Sequence, residues 1–245
     1  MTYLQFHLLF LVPPLVVTGW FAWKARRRLG TRAAWAIFAV PPIALAYTTP
    51  WDNYLVWRGI WWYGPDRVLA TIGYVPVEEY VFFVLHPLLA GSLLYTLLAR
   101  TLAHNGRPPA ERGTRVRVVG TLVWVALGLV GLPLLRTEVT TYLGLILVWF
   151  APVIGLMWAF QGPAIWQVRR AAVPTIALLT LYLWIADRVA IAVGIWTISD
   201  RYTVGVDPLG LPIEEATFFA LTTVLSVCGL LLFLLPGTRA RDHAP

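Results

Sequence analysis

The sequence predicts an all-α integral membrane protein, with seven transmembrane helices arranged as two parallel three-helix repeats joined by a connecting helix. Three observations predict it. The 245 residues are 59% hydrophobic and only 13% charged, with a mean hydropathy of +0.71, whereas soluble domains carry about 25% charged residues. Apolar segments close to the ~20 residues that cross a bilayer recur along the whole chain. A block of motifs in the first half then reappears, in the same order, in the second half.

The spans are expected at Tyr3–Trp23, Ala33–Thr48, Pro76–Ala99, Val116–Leu135, Val139–Phe160, Ala171–Trp196 and Pro212–Pro236. A cleaved signal peptide would carry its positive charge before the apolar run, but Lys24, Arg26, Arg27 and Arg28 follow the first segment. It is expected to stay as a helix with its N-terminus outside. The second segment is short and holds Pro41-Pro42, so a kink or ragged end is expected there. The single cysteine, Cys228, lies in an apolar run, which excludes a disulfide framework and any cysteine-based metal site.

Basic residues sort the loops. Lys24, Arg26, Arg27, Arg28 and Arg32 fall on one side with Arg100, Arg107, Arg112, Arg115, Arg117, Arg169, Arg170, Arg239 and Arg241. The other side keeps only Arg58, Arg67, Arg136, Arg188 and Arg201. By the positive-inside rule the first side is cytoplasmic, which places the C-terminus there too, and the expected location is the inner (plasma) membrane. A net charge of +7 built this way is a topology signal and does not point to nucleic acid. Of the acids, only Glu111 and Asp242 fall on the cytoplasmic side. The topology rule does not account for that asymmetry, because acids weigh little in it.

The repeat is read from order, spacing and residue type together. Pro76-Val77-Glu78-Glu79-Tyr80-Val81-Phe82-Phe83 returns as Pro212-Ile213-Glu214-Glu215-Ala216-Thr217-Phe218-Phe219. Upstream, Asp52 and Gly59-Ile60-Trp61 are matched by Asp187 and Gly194-Ile195-Trp196, and Asp66-Arg67 by Asp200-Arg201. Residues 1–115 therefore form a first unit, 116–137 the connecting helix and 138–245 a second unit. One connecting helix returns the chain to its starting side, so the two units run in the same direction, as in parallel-type repeats. Both Pro-x-Glu-Glu motifs then start a helix at the outer leaflet, facing a shared interior.

Proline followed by acids is ordinary grammar for a helix start, because proline suits the first position and acids complement the dipole. That reading covers one copy; two copies, each followed by a Phe pair on the same helical faces, point to a site. Glu78 shares a face with Phe82 and Glu79 with Phe83, as do Glu214 and Glu215 with Phe218 and Phe219. An acid backed by aromatics and near other carboxylates keeps its proton at neutral pH and can act as a general acid. Asp52 reads locally as a helix cap and Asp187 as half of an ion pair, yet the duplication brings both into the candidate set. Most of the 13 tryptophans are expected as interface anchors. An aromatic cleft beside protonated acids also suits a carbocation held by ring faces, which nominates Trp61, Trp62 and Trp196. His86 lies one turn further in, on the Glu79 and Phe83 face. No dinucleotide, P-loop, zinc-protease or nucleophile-elbow motif occurs, and four scattered histidines do not form a metal site.

Thr49-Pro50-Trp51-Asp52-Asn53-Tyr54, Gly59-Ile60-Trp61-Trp62-Tyr63, Pro76-Val77-Glu78-Glu79-Tyr80 and Phe82-Phe83 together resemble the membrane-embedded lycopene cyclases of the heterodimeric type, in their fused single-chain form. Asp187, Gly194-Ile195-Trp196 and Pro212-Ile213-Glu214-Glu215 extend the resemblance over nearly the whole chain. His86 departs from the glutamine expected there, and Ala216-Thr217 departs from Tyr80-Val81. The resemblance implies cyclisation of the acyclic ψ-ends of lycopene, taken from the bilayer, to β-ionone rings with no net redox change. It implies Glu78 or Glu79 with Glu214 or Glu215 as the acid–base set and Asp52 and Asp187 in support. Trp61, Trp62, Phe82, Phe83, His86, Trp196, Phe218 and Phe219 would hold the substrate. No flavin fingerprint is present, so no FAD requirement and no other cofactor is expected. Homo-oligomers or other carotenoid-pathway enzymes are the candidate protein partners. Rival expectations are an ε-cyclase, a C50-carotenoid cyclase or a hydratase, then a membrane prenyltransferase or a small proton-coupled transporter.

Overall fold

The computed structural model of the protein describes residues 1–105 and 113–235. Within them lie seven helices long and apolar enough to cross a membrane. These are α1 (Tyr3–Leu29), α2 (Ala33–Trp57), α3 (Val77–Asn105), α4 (Thr114–Leu134), α5 (Thr141–Gln167), α6 (Arg169–Ala192) and α7 (Ile213–Leu234). Short strands β1 (Trp61–Tyr63), β2 (Thr71–Ile72), β3 (Val75–Pro76) and β4 (Trp196–Ile198) cover one end of the bundle. Arg107, Glu111, Arg112, Pro236, Arg239, Arg241 and Asp242 lie outside the described residues.

Several spans run past their expected bounds, the first to Leu29 and the fifth to Gln167, and two further differences bear on the site. The second span runs past the expected end at Thr48 to Trp57, with Pro41, Pro42 and Pro50 inside one continuous helix. On either side of Pro50, Thr49 Oγ1 donates to the Leu45 carbonyl and Asn53 Nδ2 to that of Thr49. Side chains of this kind keep backbone groups satisfied in proline-bearing membrane helices. Asp52 is consequently inside a helix and buried, so it is no cap. The sixth span ends at Ala192, which places Gly194-Ile195-Trp196 in a turn and a strand.

The recurring Gly-Ile pair has a local cause. Gly59 and Gly194 take φ of +68° and +69°, a left-handed conformation that favours glycine. Each closes its helix with the paired bonds of a Schellman motif. Gly59 N–H donates to the Val56 carbonyl and Ile60 N–H to that of Leu55, as Gly194 does to Ile191 and Ile195 to Ala190. The isoleucine that follows is fully buried in both places.

Helix α1 opens on one ordinary turn and then widens to a π-helical turn at His7–Leu11. Pro14 has no N–H to offer the carbonyl of Phe10, and the Tyr182 hydroxyl of α6 donates to it instead at 2.7 Å. The wide turn leaves Tyr3, Phe6, His7 and Leu11 all buried. Helices α3 and α7 are the most enclosed, while α4 packs mainly on α5 and shows apolar side chains outward. The α4–α5 approach relies on small residues, as membrane helix pairs do; a Cβ at Gly131 would lie 2.9 Å from the Gly144 carbonyl oxygen.

Strands β1 and β4 pair antiparallel, with Trp61 opposite Ile198, Trp62 opposite Thr197 and Tyr63 opposite Trp196. The bonds Gly64 N–H to Ile195 and Ser199 N–H to Ile60 extend this joint between the two halves of the chain. Alternation along a strand turns Trp61 and Trp196 inward and leaves Trp62 half-exposed. A Cβ at Gly64 would meet the Gly194 carbonyl oxygen at 2.2 Å. We expect Gly64→Ala to push the strands apart, lowering the thermal half-life of the detergent-purified protein several-fold and reducing turnover with it. A matching change at exposed Thr197 leaves both unaltered.

Candidate active site

Four acids come together at the strand-covered end, each placed by a helix terminus. Glu79 and Glu215 sit in the first turns of α3 and α7, where exposed N–H groups and the helix dipole favour an acid. Asp52 and Asp187 lie near the ends of α2 and α6. Their relative exposures are 1% for both aspartates and 5% for both inner glutamates. Burying four carboxyls in apolar surroundings is costly unless they are protonated or hydrogen-bonded, and acids within membrane segments are functional candidates by default.

Glu79 and Glu215, with Asp187, line a narrow, partly open cavity at this end of the bundle. Its walls are aromatic. The first half supplies Tyr3, Phe6, Trp51, Trp61 and Phe82, and the second Tyr142, Trp196, Phe218 and Phe219 together with the aliphatic Leu183. Trp51 stacks flat on Phe218, with centroids 5.6 Å apart and planes at 5°. Phe82 meets Phe219 edge-on at 6.1 Å. The site therefore offers carboxyls and ring faces with very little else.

Phenols hold the inner acids. Tyr3 donates to Glu79 Oε2 at 2.6 Å and Tyr63 donates to the same oxygen at 3.1 Å. Tyr142 donates to Glu215 Oε1 at 2.6 Å. Tyr63 lies in β1, outside the spans, and burial followed by the neighbouring Glu79 raises its phenol well above the ordinary value. It stays a donor throughout the physiological range. Trp196 Nε1 donates to Asp187 Oδ1 at 2.9 Å. The outer oxygens Asp52 Oδ2 and Asp187 Oδ2 have no partner among the described residues.

The outer glutamates do something different. Glu78 accepts from the Leu69 N–H at 2.9 Å, and Glu214 accepts from the Val204 N–H at 2.8 Å. Each fastens the loop that precedes its own helix, and neither lines the cavity. Adjacent helical residues point about 100° apart, which explains why one glutamate of each pair faces inward and its neighbour faces the loop. Asp52 is buried beside the cluster without lining the cavity. Asp187 is bonded to Trp196, while its neighbour Arg188 turns away to the Leu209 carbonyl, so among the described residues Asp187 forms no ion pair.

The structure does not bring three of the expected substrate contacts to the cavity. Trp62 faces outward for the strand reason given above. Phe83 packs edge-on against Tyr80 at 6.1 Å, because it is Phe82, three residues after Glu79, that turns inward. His86 stacks on Phe82 at 5.6 Å, lies 3.3 Å from the Thr223 hydroxyl and does not line the cavity. Six residues escaped the sequence reading, Phe6 and Leu183 of the cavity wall among them. Tyr3 and Tyr142 stand in a Thr-Tyr-Leu tripeptide that occurs at 2–4 and again at 141–143, a signal that was there to find. Trp51 belongs to α2 and not to the following loop, and Tyr63 had no counterpart to flag it, because Ile198 stands at the matching strand position. Among the described residues, no three His, Cys, Asp or Glu side chains are gathered as metal ligands.

The comparisons with known proteins agree with one another. A family model described as lycopene cyclase matches residues 1–98 and 136–234. A protein of Halobacterium salinarum named lycopene beta-cyclase is 41% identical over 233 residues, covering 95% of each chain. Proteins named bifunctional lycopene cyclase/phytoene synthase are similar as well. The one from Podospora anserina is 35% identical over 240 residues, covering 94% of this chain and 40% of its own length. The one from Phycomyces blakesleeanus is 30% identical over 232 residues, covering 93% and 38%. No solved structure matches. With the family model covering most of both halves, this chain belongs to the lycopene cyclase family.

Proposed function

We propose that this protein is a lycopene β-cyclase, an isomerase that closes the acyclic ψ-ends of lycopene into β-ionone rings during carotenoid biosynthesis. One observation carries the reading: two buried glutamates from opposite halves face one aromatic cavity inside a membrane bundle. A proton passes from one carboxyl to the terminal double bond of the ψ-end, leaving a tertiary cation. A second double bond of the same chain attacks it and closes the ring. The other carboxylate then removes a ring proton, so atoms and electrons balance with no redox partner. Trp61, Trp196, Phe82, Phe218 and Phe219 present the ring faces that stabilise the cation, and excluding water protects it from hydration. The end group enters between these rings as the side chains part, with the remaining polyene extending into lipid.

The same reading includes two parallel units, residues 1–115 and 138–245, joined by α4 as the connector at 116–137. The two separate matches to one family model support it. So do the paired contacts: Tyr3 with Glu79 against Tyr142 with Glu215, and Leu69 with Glu78 against Val204 with Glu214. In this arrangement the strand-covered end faces away from the cytoplasm of a plasma-membrane protein, as the distribution of basic residues indicates.

The test is expression in a lycopene-accumulating host followed by pigment chromatography. We expect conversion to γ- and β-carotene. Rings with another double-bond position, or hydrated acyclic ends, would instead place the protein with ε-cyclases or hydratases. Unchanged lycopene beside proton flux in reconstituted vesicles would make it a transporter.

A further inference from the structure

The two halves of the cavity differ in one way that bears on chemistry. Glu79 accepts hydrogen bonds from two phenols, whereas among the described residues Glu215 accepts from one. A single position makes the difference. Tyr63 and Ile198 each occupy the third place in β1 and β4, but only Tyr63 carries a hydroxyl. The aspartates are unequal in the opposite sense. Asp187 is bonded to the Trp196 indole, while Trp61 Nε1 and Asp52 Oδ2 have no partner among the described residues.

We infer that Glu215 is the acid that protonates the terminal double bond, that the Glu79 carboxylate is the base that takes the ring proton, and that Tyr63 is the positioning residue that fixes this order. The inference rests on the cyclase reading above. Several carboxyls enclosed together do not all ionise, since like charges in a low-dielectric site repel. The negative charge settles where donors are most numerous, because hydrogen bonds to a carboxylate favour its charged form and are roughly twice as strong as neutral ones. Two phenols make that place Glu79. Glu215, with one donor, retains the proton to give. The proton leaves the Glu215 oxygen for the inner, hydrogen-bearing carbon of the terminal double bond, which puts the cation on the dimethyl-bearing carbon that then forms the ring bond. The new ring bond moves the positive charge to the neighbouring ring carbon, and the adjacent ring proton ends on Glu79. Between turnovers that proton returns to Glu215, and the aspartates with free oxygens share the same enclosure.

The experiment compares the pigments made by Glu215→Gln, Glu79→Gln, Tyr63→Phe and Ile198→Tyr in a lycopene-accumulating host, with protein levels matched by immunoblot. Glu215→Gln is expected to leave lycopene untouched, with no cation-derived product. Glu79→Gln still forms the cation but lacks the correct base. Lycopene is then consumed, into rings with a displaced double bond and hydrated acyclic ends. Tyr63→Phe should cut the β-ring share about tenfold in favour of those same by-products, the size expected for one hydrogen bond to a charged group. Ile198→Tyr offers a second donor to Glu215 and should slow lycopene consumption several-fold without creating by-products. The reverse pattern for the two glutamines, or untouched lycopene in both, overturns the assignment while leaving the site reading intact. Unchanged β-ring output from both overturns the site reading itself. A product spectrum unmoved by Tyr63→Phe, in protein present at normal level, removes Tyr63 from the scheme.

Discussion

Glu79→Gln and Glu215→Gln each lower β-ring formation by on the order of 10² to 10⁴-fold, while Glu78→Gln and Glu214→Gln keep it within about tenfold of the parent. The first figure is the usual contribution of a positioned acid or base. Glutamine keeps the shape and the capacity to accept the Tyr3 or Tyr142 bond, but it neither gives nor takes a proton at the reacting carbon. At the outer positions an amide oxygen still accepts from Leu69 or Val204 N–H, so the loop remains fastened. Truncation there has another signature. Glu78→Ala and Glu214→Ala free a loop by removing one part-buried hydrogen bond each, which costs about 0.5–1.5 kcal/mol of stability. Pigment chromatography reads the first effect, and the thermal half-life of the detergent-purified protein reads the second. Equal losses of activity from all four glutamine variants at equal protein level would show that the inner and outer acids are not divided as their contacts suggest.

That division was half-legible from the sequence. Hydropathy and proline-acid grammar locate the helix starts, because a bilayer requires long apolar runs and a helix start tolerates proline and attracts acids. Both Glu-Glu pairs were therefore found, as were Asp52, Asp187, Trp61 and Trp196. Which member of each pair faces the cavity depends on how the helix is rotated. Tertiary contacts set that rotation: the Leu69 and Val204 loops on one side, and Tyr3 and Tyr142 on the other. The same limit explains Phe82 and Phe83. Residues three and four positions after Glu79 both lie near its face, and only packing against Tyr80 and Phe219 decides between them. Trp62 is a different case. A three-residue strand is too short to announce itself in the sequence, and its alternation is what turns Trp61 in and Trp62 out. Tyr63 was missed for the reason that makes it informative, since a search for repeated features overlooks the position at which the copies diverge.

Trp196 joins the ring faces to an acid, and Trp196→Leu is expected to slow cyclisation by on the order of 10³-fold. The indole packs edge-on against Tyr3 at 5.1 Å and Phe6 at 5.4 Å, lines the cavity, and donates its N–H to Asp187. Leucine removes a ring face worth about 2 kcal/mol to a desolvated cation, together with a hydrogen bond to a buried carboxyl worth about 1.5–3 kcal/mol when it is charged. Trp196→Phe separates the two. It keeps a ring for the cation and loses only the donor, and about a tenfold loss is expected. Trp61 supplies the control, because it also lines the cavity but its Nε1 has no partner among the described residues. Trp61→Phe should therefore cost no more than about threefold, although the two tryptophans occupy matching places in Gly-Ile-Trp. If both phenylalanine variants lose the same activity, the Trp196–Asp187 bond contributes nothing to turnover, and the ring faces alone account for both residues. If only Trp196→Phe loses it, the indole N–H matters because of the acid it supports. The two halves then differ in function at their tryptophans as they do at Tyr63 and Ile198.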